Sequence, residues 1–193
     1  MKYNDNGTYK DIYVKTFDTL PIGAELDYDG ETVPSGYVQV AEADAIIVNL
    51  NATASITTST PAYTQKVIPL NNEYIKLGNK LTFNSTNNSV VVGAGVNHVE
   101  ISASASLRNS NTTSAAERVL SIKTSTTPYI GQASFRNSYS SSNTAYNLSI
   151  SPLIISVQEN EEIQLCFSSE TSETIKVYGS ASCITYLTVK VID

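Results

Sequence analysis

The single histidine of the chain, His98, lies two residues before Glu100. If this stretch is a β-strand, the two side chains share one face and could exchange a proton. A Ser/His/Asp site, however, needs a third member and an oxyanion hole, and the sequence has no Gly-x-Ser-x-Gly turn. We therefore interpret His98 as a surface or interface residue, not a catalytic base.

Three carboxylates, Glu159, Glu161 and Glu162, lie close together where a turn enters a predicted strand. Because neighbouring strand residues point to opposite faces, these carboxylates do not converge like the paired acids of a glycosidase. Asp27 and Asp29 belong to a predicted hairpin that offers too few oxygen ligands for calcium. The sequence thus predicts a solvated glutamate turn, no enzyme, no metal and no cofactor.

The two cysteines, Cys166 and Cys183, have neither metal-ligand spacing nor a redox motif. Each lies in a predicted strand, where a thiol behaves as a small apolar residue. Two free, buried thiols are the favoured interpretation. The alternative is a disulfide between them, which requires an oxidising compartment.

Residues 96–107 give the clearest indication of the secondary structure around these residues. Every second residue from Val99 to Leu107 is apolar, and the residues between them are Ser or Glu. A period of two over this length predicts a strand with one buried and one wetted face. Two alanines, Ala103 and Ala105, lie in the middle of the buried face, so a second layer of the protein can approach closely there.

Short apolar runs separated by Asn, Gly and Pro turns continue to the C-terminus and predict about ten short strands and no helix. This pattern is typical of an all-β sandwich. Pro152 interrupts one run and predicts a bulge or an edge position there, because proline has no N–H to donate. The predicted strands are 66–70, 73–77, 81–84, 89–92, 96–107, 118–123, 129–135, 145–157, 161–168, 174–178 and 183–192.

The first part of the chain differs in composition. Residues 1–44 hold half of the Asp and Glu residues, with a predicted strand at 9–17 and a hairpin at Asp29-Gly30. Residues 45–65 are rich in Thr and Ser and predict one strand that leads into an extended connector. The predicted division is an N-terminal hairpin element at 1–44, a connector at 45–65 and a head domain at 66–193.

The last predicted strand, residues 183–192, is apolar on both faces. Such a strand either lies between two layers or is covered on its outer face by another subunit. We favour the second arrangement, because no helix is predicted to cover that face. The inner face carries Leu187, Val189 and Val191, and the outer face, our candidate subunit interface, carries Ile184, Tyr186 and Ile192.

The charge of the chain limits its partners. The formal net charge is −6 without any basic run, so nucleic acid and anionic membranes are poor partners. No apolar run approaches the length of about 18 residues that a membrane-spanning helix needs. The first ten residues lack the apolar centre of a signal peptide. We expect a protein that is made in the cytoplasm and does not insert into membranes.

Four short segments resemble one group of bacteriophage domains, the tumour-necrosis-factor-like (TNF-like) jelly rolls at the tips of phage fibres, which are related in shape to complement globular heads. They are Val67-Ile68-Pro69-Leu70, Gly78-Asn79-Lys80-Leu81, Gly95-Val96-x-x-Val99-x-Ile101-Ser102-Ala103 and Thr185-Tyr186-Leu187-Thr188-Val189. The resemblance covers residues 66–193. Leu20-Pro21-Ile22-Gly23 and Asp29-Gly30-x-Thr32-Val33-Pro34-Ser35-Gly36-Tyr37 are similar to a short element that often precedes such domains.

The resemblance implies an all-β antiparallel jelly-roll sandwich, preceded by a β-hairpin attachment element, in a non-enzymatic homotrimer. It implies a virion location, with residues 1–44 bound to a phage capsid or tail protein. We expect a head fibre or capsid decoration, because the chain has no long shaft. The alternative is a receptor-binding tail fibre or tail spike tip that recognises a host cell-wall carbohydrate.

A host surface glycan is the further expected partner in either setting. Tyrosine rings pack on sugar faces and asparagine amides bond to sugar hydroxyls, so Asn- and Tyr-rich loops suit this task. The candidate glycan-contact residues are Asn109, Asn111, Asn137, Tyr139 and Asn143.

Overall fold

A computed structural model of the chain describes residues 2–5, 8–11, 44–109, 116–137, 145–180 and 184–192. The chain divides into two compact units, Met1–Glu42 and Ala43–Asp193. The described residues form fifteen strands and no helix, so none of them belongs to a helix long and apolar enough to cross a bilayer.

The first unit contains one antiparallel strand pair among its described residues, β1 (Lys2–Asp5) with β2 (Thr8–Asp11). The predicted strand at 9–17 overlaps β2. Residues 12–17 and the predicted hairpin at Asp29-Gly30 lie outside the described residues. The attachment role assigned to residues 1–44 stays a prediction.

The second unit is a sandwich of two antiparallel sheets. The larger sheet has the order β4-β14-β9-β15-β3-β6, with β12 also paired to β9, and the smaller has the order β11-β10-β13-β8-β7, with β5 paired to β13. The predicted all-β antiparallel sandwich is confirmed. Its strands are β3 (Ala45–Asn49), β4 (Ala54–Thr57), β5 (Lys66–Val67), β6 (Asn72–Leu77), β7 (Leu81–Asn84), β8 (Ser89–Val92), β9 (His98–Asn109), β10 (Ala116–Thr124), β11 (Gly131–Asn137), β12 (Ala145–Ser156), β13 (Glu162–Ser169), β14 (Thr174–Tyr178) and β15 (Tyr186–Val191).

Strand β9 is the centre of the larger sheet, as the alternation in its sequence predicts. It pairs with β12 along one side and with β15 and β14 along the other. The odd-numbered side chains from Val99 to Leu107 are all buried in the core, including the two alanines. The two small side chains face the smaller sheet, as the sequence predicts.

The bulge predicted at Pro152 is present. The register between β12 and β9 shifts between Ile150 and Leu153, so Ser151 and Pro152 leave the regular ladder. Among the described residues β12 pairs only with β9, which makes it an edge strand as well. An edge bulge is where a residue without a backbone N–H disturbs the sheet least.

The extended connector assigned to residues 45–65 is corrected by the structure. The one strand predicted at the start of this segment is present as β3, which pairs with β15 and β6, but the supposed connector forms a second strand, β4, which pairs with β14. Ile46, Val48, Leu50 and Ile56 from this segment are buried in the core. The Thr and Ser residues misled the prediction, because they also suit the wetted face of a strand. The head therefore begins at about residue 44 and not at residue 66.

The prediction of a solvated glutamate turn is wrong for Glu161, because its side chain is only 5% exposed. Its carboxylate accepts hydrogen bonds from the Thr126 hydroxyl and from the Gln158 N–H, the latter at 3.0 Å. These bonds join the turn after β10 to the turn before β13. Burial acts to raise the pKa of Glu161, but the hydrogen bonds from Thr124, Thr126 and Gln158 outweigh it and lower the pKa below its ordinary value.

We expect the Glu161→Gln variant to lose less thermal stability than the unaltered chain when the pH is lowered from neutral into the acid range. A carboxyl whose pKa is lowered by folding stabilises the native state above its unfolded-state pKa, and this contribution is lost as pH falls through the folded-state value. The Tm of the unaltered chain should therefore fall below about pH 4.5, the ordinary pKa of a glutamate. The variant should have a lower Tm at neutral pH and a smaller further loss in acid.

Thermal melts by circular dichroism, from neutral pH to about pH 3, measure this difference. Glu159→Gln is the matched control, because the exposed Glu159 side chain lies in the same turn. Parallel Tm profiles for Glu161→Gln and the unaltered chain would show that Glu161 is not the acid-sensitive group.

Candidate interaction surfaces

His98 and Glu100 lie on the outward face of the larger sheet, on the same side of β9 as predicted. His98 is exposed and Glu100 is half-buried. Glu100 lies directly opposite Lys190 of β15 and Ile154 of β12. The part of the chain that the structure describes contains no group of three or more side chains that could hold a metal ion.

Of the three predicted interface residues only Tyr186 lies within β15, on this outward face, so the three do not form a continuous stripe. Tyr186 is half-buried between Asn49 of β3 and Ser104 of β9. Ile184 and Ile192 are exposed beyond the two ends of β15. The outward positions between them are polar, so the strand is apolar at its ends and not along its whole outer face.

The apolar surface next to Tyr186 continues on strands that the interface prediction did not include. Ile47 of β3 lies directly opposite Ile75 of β6, and Ala45 lies opposite Leu77. Ile75 and Leu77 are both exposed. We call Ile47, Ile75, Leu77 and Tyr186 the apolar patch. A bulge in β6 leaves Tyr74 unpaired beside it, and this side chain is exposed too.

The opposite edge of the same face carries a further exposed apolar side chain. Ile154 of β12 is 63% exposed, the largest fraction among the large apolar residues described. Between this edge and the apolar patch the face is lined by hydroxyl groups. Ser104 and Ser149, for example, lie 3.1 Å apart between their Oγ atoms. The outward face is therefore apolar at its two edges and polar in its centre.

A different arrangement covers the outer side of the smaller sheet. The segment before and within β5 runs beside β13, where the Tyr63 N–H donates to the Ser169 carbonyl at 2.8 Å. The Tyr63 side chain crosses β13, and its hydroxyl donates to the Glu117 carboxylate of β10 at 3.0 Å. Tyr129, from the turn between β10 and β11, reaches back and donates to the Tyr63 carbonyl at 3.2 Å. The Tyr129 hydroxyl is thus bonded to the backbone of the residue whose own hydroxyl is bonded to β10.

Gln65 completes this covering, which we call the aromatic layer (Tyr63, Gln65 and Tyr129). Its Nε2 donates to the Ser121 hydroxyl at 2.9 Å and to the Pro128 carbonyl at 2.8 Å. Cys166, the cross-strand neighbour of Ser121, points to the same side and is fully buried.

The prediction of a free, buried thiol is confirmed for Cys166. Burial is the main cause that raises the pKa of Cys166 to about 11, so the thiol stays protonated at neutral pH. Cys183 lies outside the described residues, and its predicted state stays a prediction.

The backbone of Tyr63 is strained. Its φ is +61°, in the left-handed region, where a bulky side chain is rare. It lies in a turn closed by Thr64, whose N–H and hydroxyl both donate to the Pro61 carbonyl. Such a conformation costs about 1–3 kcal/mol and persists only where surrounding contacts hold it. The bond to Glu117, which also raises the pKa of the Tyr63 hydroxyl, is one of those contacts.

A buried ion pair lies inside the sandwich at the inward side of β10. Arg118 is 0% exposed, and its Nη2 lies 2.7 Å from Oε2 of Glu173. The other carboxylate oxygen of Glu173 accepts a hydrogen bond from the Ser169 hydroxyl at 2.5 Å. Burial is the main cause that raises the pKa of the nearby Tyr146 hydroxyl. This pair was not predicted, although Arg118 occupies an inward position of an alternating strand.

The predicted glycan-contact residues fall mostly outside what the structure describes. Asn109 and Asn137 are the last residues of β9 and β11. Asn111, Tyr139 and Asn143 lie outside the described residues, so these loops stay a prediction. The aromatic layer was missed because Tyr63 fell in the supposed connector. The available signal was a tyrosine shortly after a proline, in Pro61-Ala62-Tyr63 and Pro128-Tyr129.

Comparison with known proteins bears on the fold. No family model matches the chain, and no curated protein matches it. The solved structure of Eiger TNF from S. frugiperda is similar, with a TM-score of 0.55 and 8% identity, over 78% of this chain and 93% of that chain. Murine APRIL at pH 5.0 has a TM-score of 0.54 and 10% identity, over 78% of this chain and 100% of that chain. The sandwich therefore has the TNF-like jelly-roll fold.

Proposed function

We propose that this chain is a non-enzymatic, homotrimeric bacteriophage virion protein, a head fibre or capsid decoration. Its jelly-roll head points outward, and its N-terminal unit attaches to the particle. The observation that carries the proposal is the distribution of exposed apolar side chains on the larger sheet. Large apolar residues gathered on one face mark a surface that is covered in the working protein.

The two apolar edges of this face favour a ring. The apolar patch lies at one edge, and Ile154 lies at the opposite edge, on β12. Contact between different surfaces of identical subunits is head-to-tail, and such contacts close into a ring when repeated around one axis. An obligate interface of this kind buries on the order of 2,000 Å² or more. The polar centre of the face would then line the inside of the assembly.

The number of subunits and the viral setting rest on the sequence resemblance to trimeric phage fibre tips. The TNF-like fold agrees with that resemblance at the level of the head domain. The runner-up function is a receptor-binding tail fibre or tail spike tip that recognises a host cell-wall carbohydrate. Both functions use the same head, and they differ in where on the virion the protein lies.

We expect Tyr186→Asp to break the trimer. The side chain is half-buried within its own subunit and belongs to the apolar patch, so an ionised carboxylate there would be desolvated on assembly. Light scattering coupled to size exclusion should give a trimer mass for the unaltered chain and a monomer mass for the variant. Thr82→Asp is the control, because it adds the same charge at an exposed position of β7 and should leave the trimer intact.

A stable monomer of the unaltered chain at micromolar concentration would overturn the homotrimer. The viral setting has its own test, in which antibodies to residues 66–193 are imaged on intact particles. Label on the capsid supports the head fibre, label at the tail tip supports the runner-up, and unlabelled particles contradict both.

A further inference from the structure

We infer that the aromatic layer on the smaller sheet is a binding site for a neutral polysaccharide. This inference rests on the proposed role of the head as a surface-exposed knob, and it names the ligand class and the residues. Tyr63 is 37% exposed and Tyr129 is 43% exposed. Tyr63 bonds to β10 of the smaller sheet and Tyr129 bonds to Tyr63, whereas the face proposed for subunit contact belongs to the larger sheet.

The two rings are held in place before any ligand arrives. Each ring is held at its far end by a hydrogen bond from its hydroxyl group. The Tyr63 hydroxyl donates to the Glu117 carboxylate, and the Tyr129 hydroxyl donates to the Tyr63 carbonyl. A tyrosine tied at both ends offers a flat apolar surface with little conformational entropy left to lose on binding. The C–H face of a pyranose ring fits such a surface.

The strain at Tyr63 points to function and not to fold. A turn residue with φ near +61° is ordinarily glycine, which adopts this conformation without a steric penalty. A tyrosine kept there at an energetic cost, with its ring partly exposed, indicates a task for the side chain.

Polar groups border the rings at the spacing of sheet residues. Arg136 lies directly opposite Glu117, Ser134 opposite Val119 and Gln132 opposite Ser121, and all three β11 side chains are exposed. Carboxylate, guanidinium, hydroxyl and amide groups together can donate to and accept from sugar hydroxyls. Aromatic faces with such a border fit a carbohydrate better than a purely apolar partner.

The charges at this site give no net attraction for anionic glycans. Glu117 and Glu170 both lie beside the layer, and they are matched by Arg136, 3.4 Å from the Glu170 carboxylate, and by Lys123, which lies near Cys166. The chain as a whole carries −6. A phosphate-rich polymer therefore gains no net attraction at the site and is repelled by the net charge of the chain, whereas a polymer of uncharged hexoses is not.

The test uses the full-length chain and saturation-transfer NMR with three neutral probes, maltohexaose, cellohexaose and the hexamer of N-acetylglucosamine. Poly(glycerol phosphate) is the anionic probe. We expect saturable binding of at least one neutral probe at or below millimolar concentration and none of the anionic one. Tyr129→Ala and Tyr63→Gly should each weaken that binding about tenfold or more. Tyr63→Gly also removes the backbone strain, so it keeps the turn while deleting the ring.

Thr82→Ala, on β7 of the same sheet, is the control and should bind as the unaltered chain does. The site is disproved if no neutral probe binds, if the anionic probe binds better, or if both tyrosine variants bind normally. These results do not affect the trimer or its place on the virion. Conversely, if the chain binds sugar but is absent from virions, the proposed virion function is wrong and the glycan-binding site is still supported.

Discussion

Removal of residues 1–62 is expected to abolish folding of the head, whereas removal of residues 1–43 leaves a chain that unfolds cooperatively. The first cut lies inside the second unit and deletes both β3 and β4. The second cut lies beside the boundary between the two units. It keeps Asp44, whose carboxylate accepts from the Asn79 and Lys80 N–H groups and closes the turn after β6.

The expected loss in free energy of unfolding is larger than the total stability of a typical domain. The longer deletion removes four buried core side chains, those of Ile46, Val48, Leu50 and Ile56. Trimming even one such residue to alanine costs about 2–5 kcal/mol, and a whole domain is stable by only about 5–15 kcal/mol. The deletion also leaves β15 and β14 each without a pairing partner on one side.

Circular dichroism melts and one-dimensional NMR spectra of the two truncated chains measure the difference. The chain that begins at Asp44 should keep a sigmoidal transition and dispersed signals, and the chain that begins at Tyr63 should have neither. A cooperative transition for the shorter chain would mean that β3 and β4 are accessory strands. Loss of folding in the longer chain would show that the N-terminal unit is needed for the fold.

The regular strands of the head could be predicted because their alternation is strong. The predicted bounds of β7, β8 and β14 agree with the structure, and β9 is shifted by two residues. The segment before Lys66 was misassigned because its inward residues are few. In β4 a single buried isoleucine, Ile56, lies among Ser and Thr residues. Only the pairing of β4 with β14, a contact between residues far apart in the chain, reveals its role.

The interaction surfaces were harder to predict than the strands. The outward position of Tyr186 follows from the alternation of side chains along β15. The neighbouring Ile47 and Ile75, however, are brought next to it only by the strand order β15-β3-β6. The aromatic layer depends on two tyrosines from separate loops whose hydroxyls meet on the sheet. Such convergence has no periodic signal in the sequence.

The second large effect is expected at the buried ion pair. Arg118→Met removes the guanidinium and leaves the Glu173 carboxylate in the core with the Ser169 hydroxyl as its remaining partner described here. Breaking a buried pair in this way costs about 3–5 kcal/mol, because one charge stays desolvated without its counterpart. Urea unfolding at one fixed protein concentration measures the loss, since assembly also adds to the apparent stability.

The double variant Arg118→Met with Glu173→Gln separates the charge from the packing. With both charges removed, no uncompensated ion remains, and the amide oxygen of the glutamine can still accept from Ser169. The double variant should therefore be more stable than the sum of the single losses implies, by about 1–3 kcal/mol. Arg136→Met is the control, because the exposed Arg136–Glu170 pair should contribute no more than about 1 kcal/mol. If Arg118→Met costs no more than Arg136→Met, or the two core substitutions simply add, the pairing of these two charges does not stabilise the sandwich.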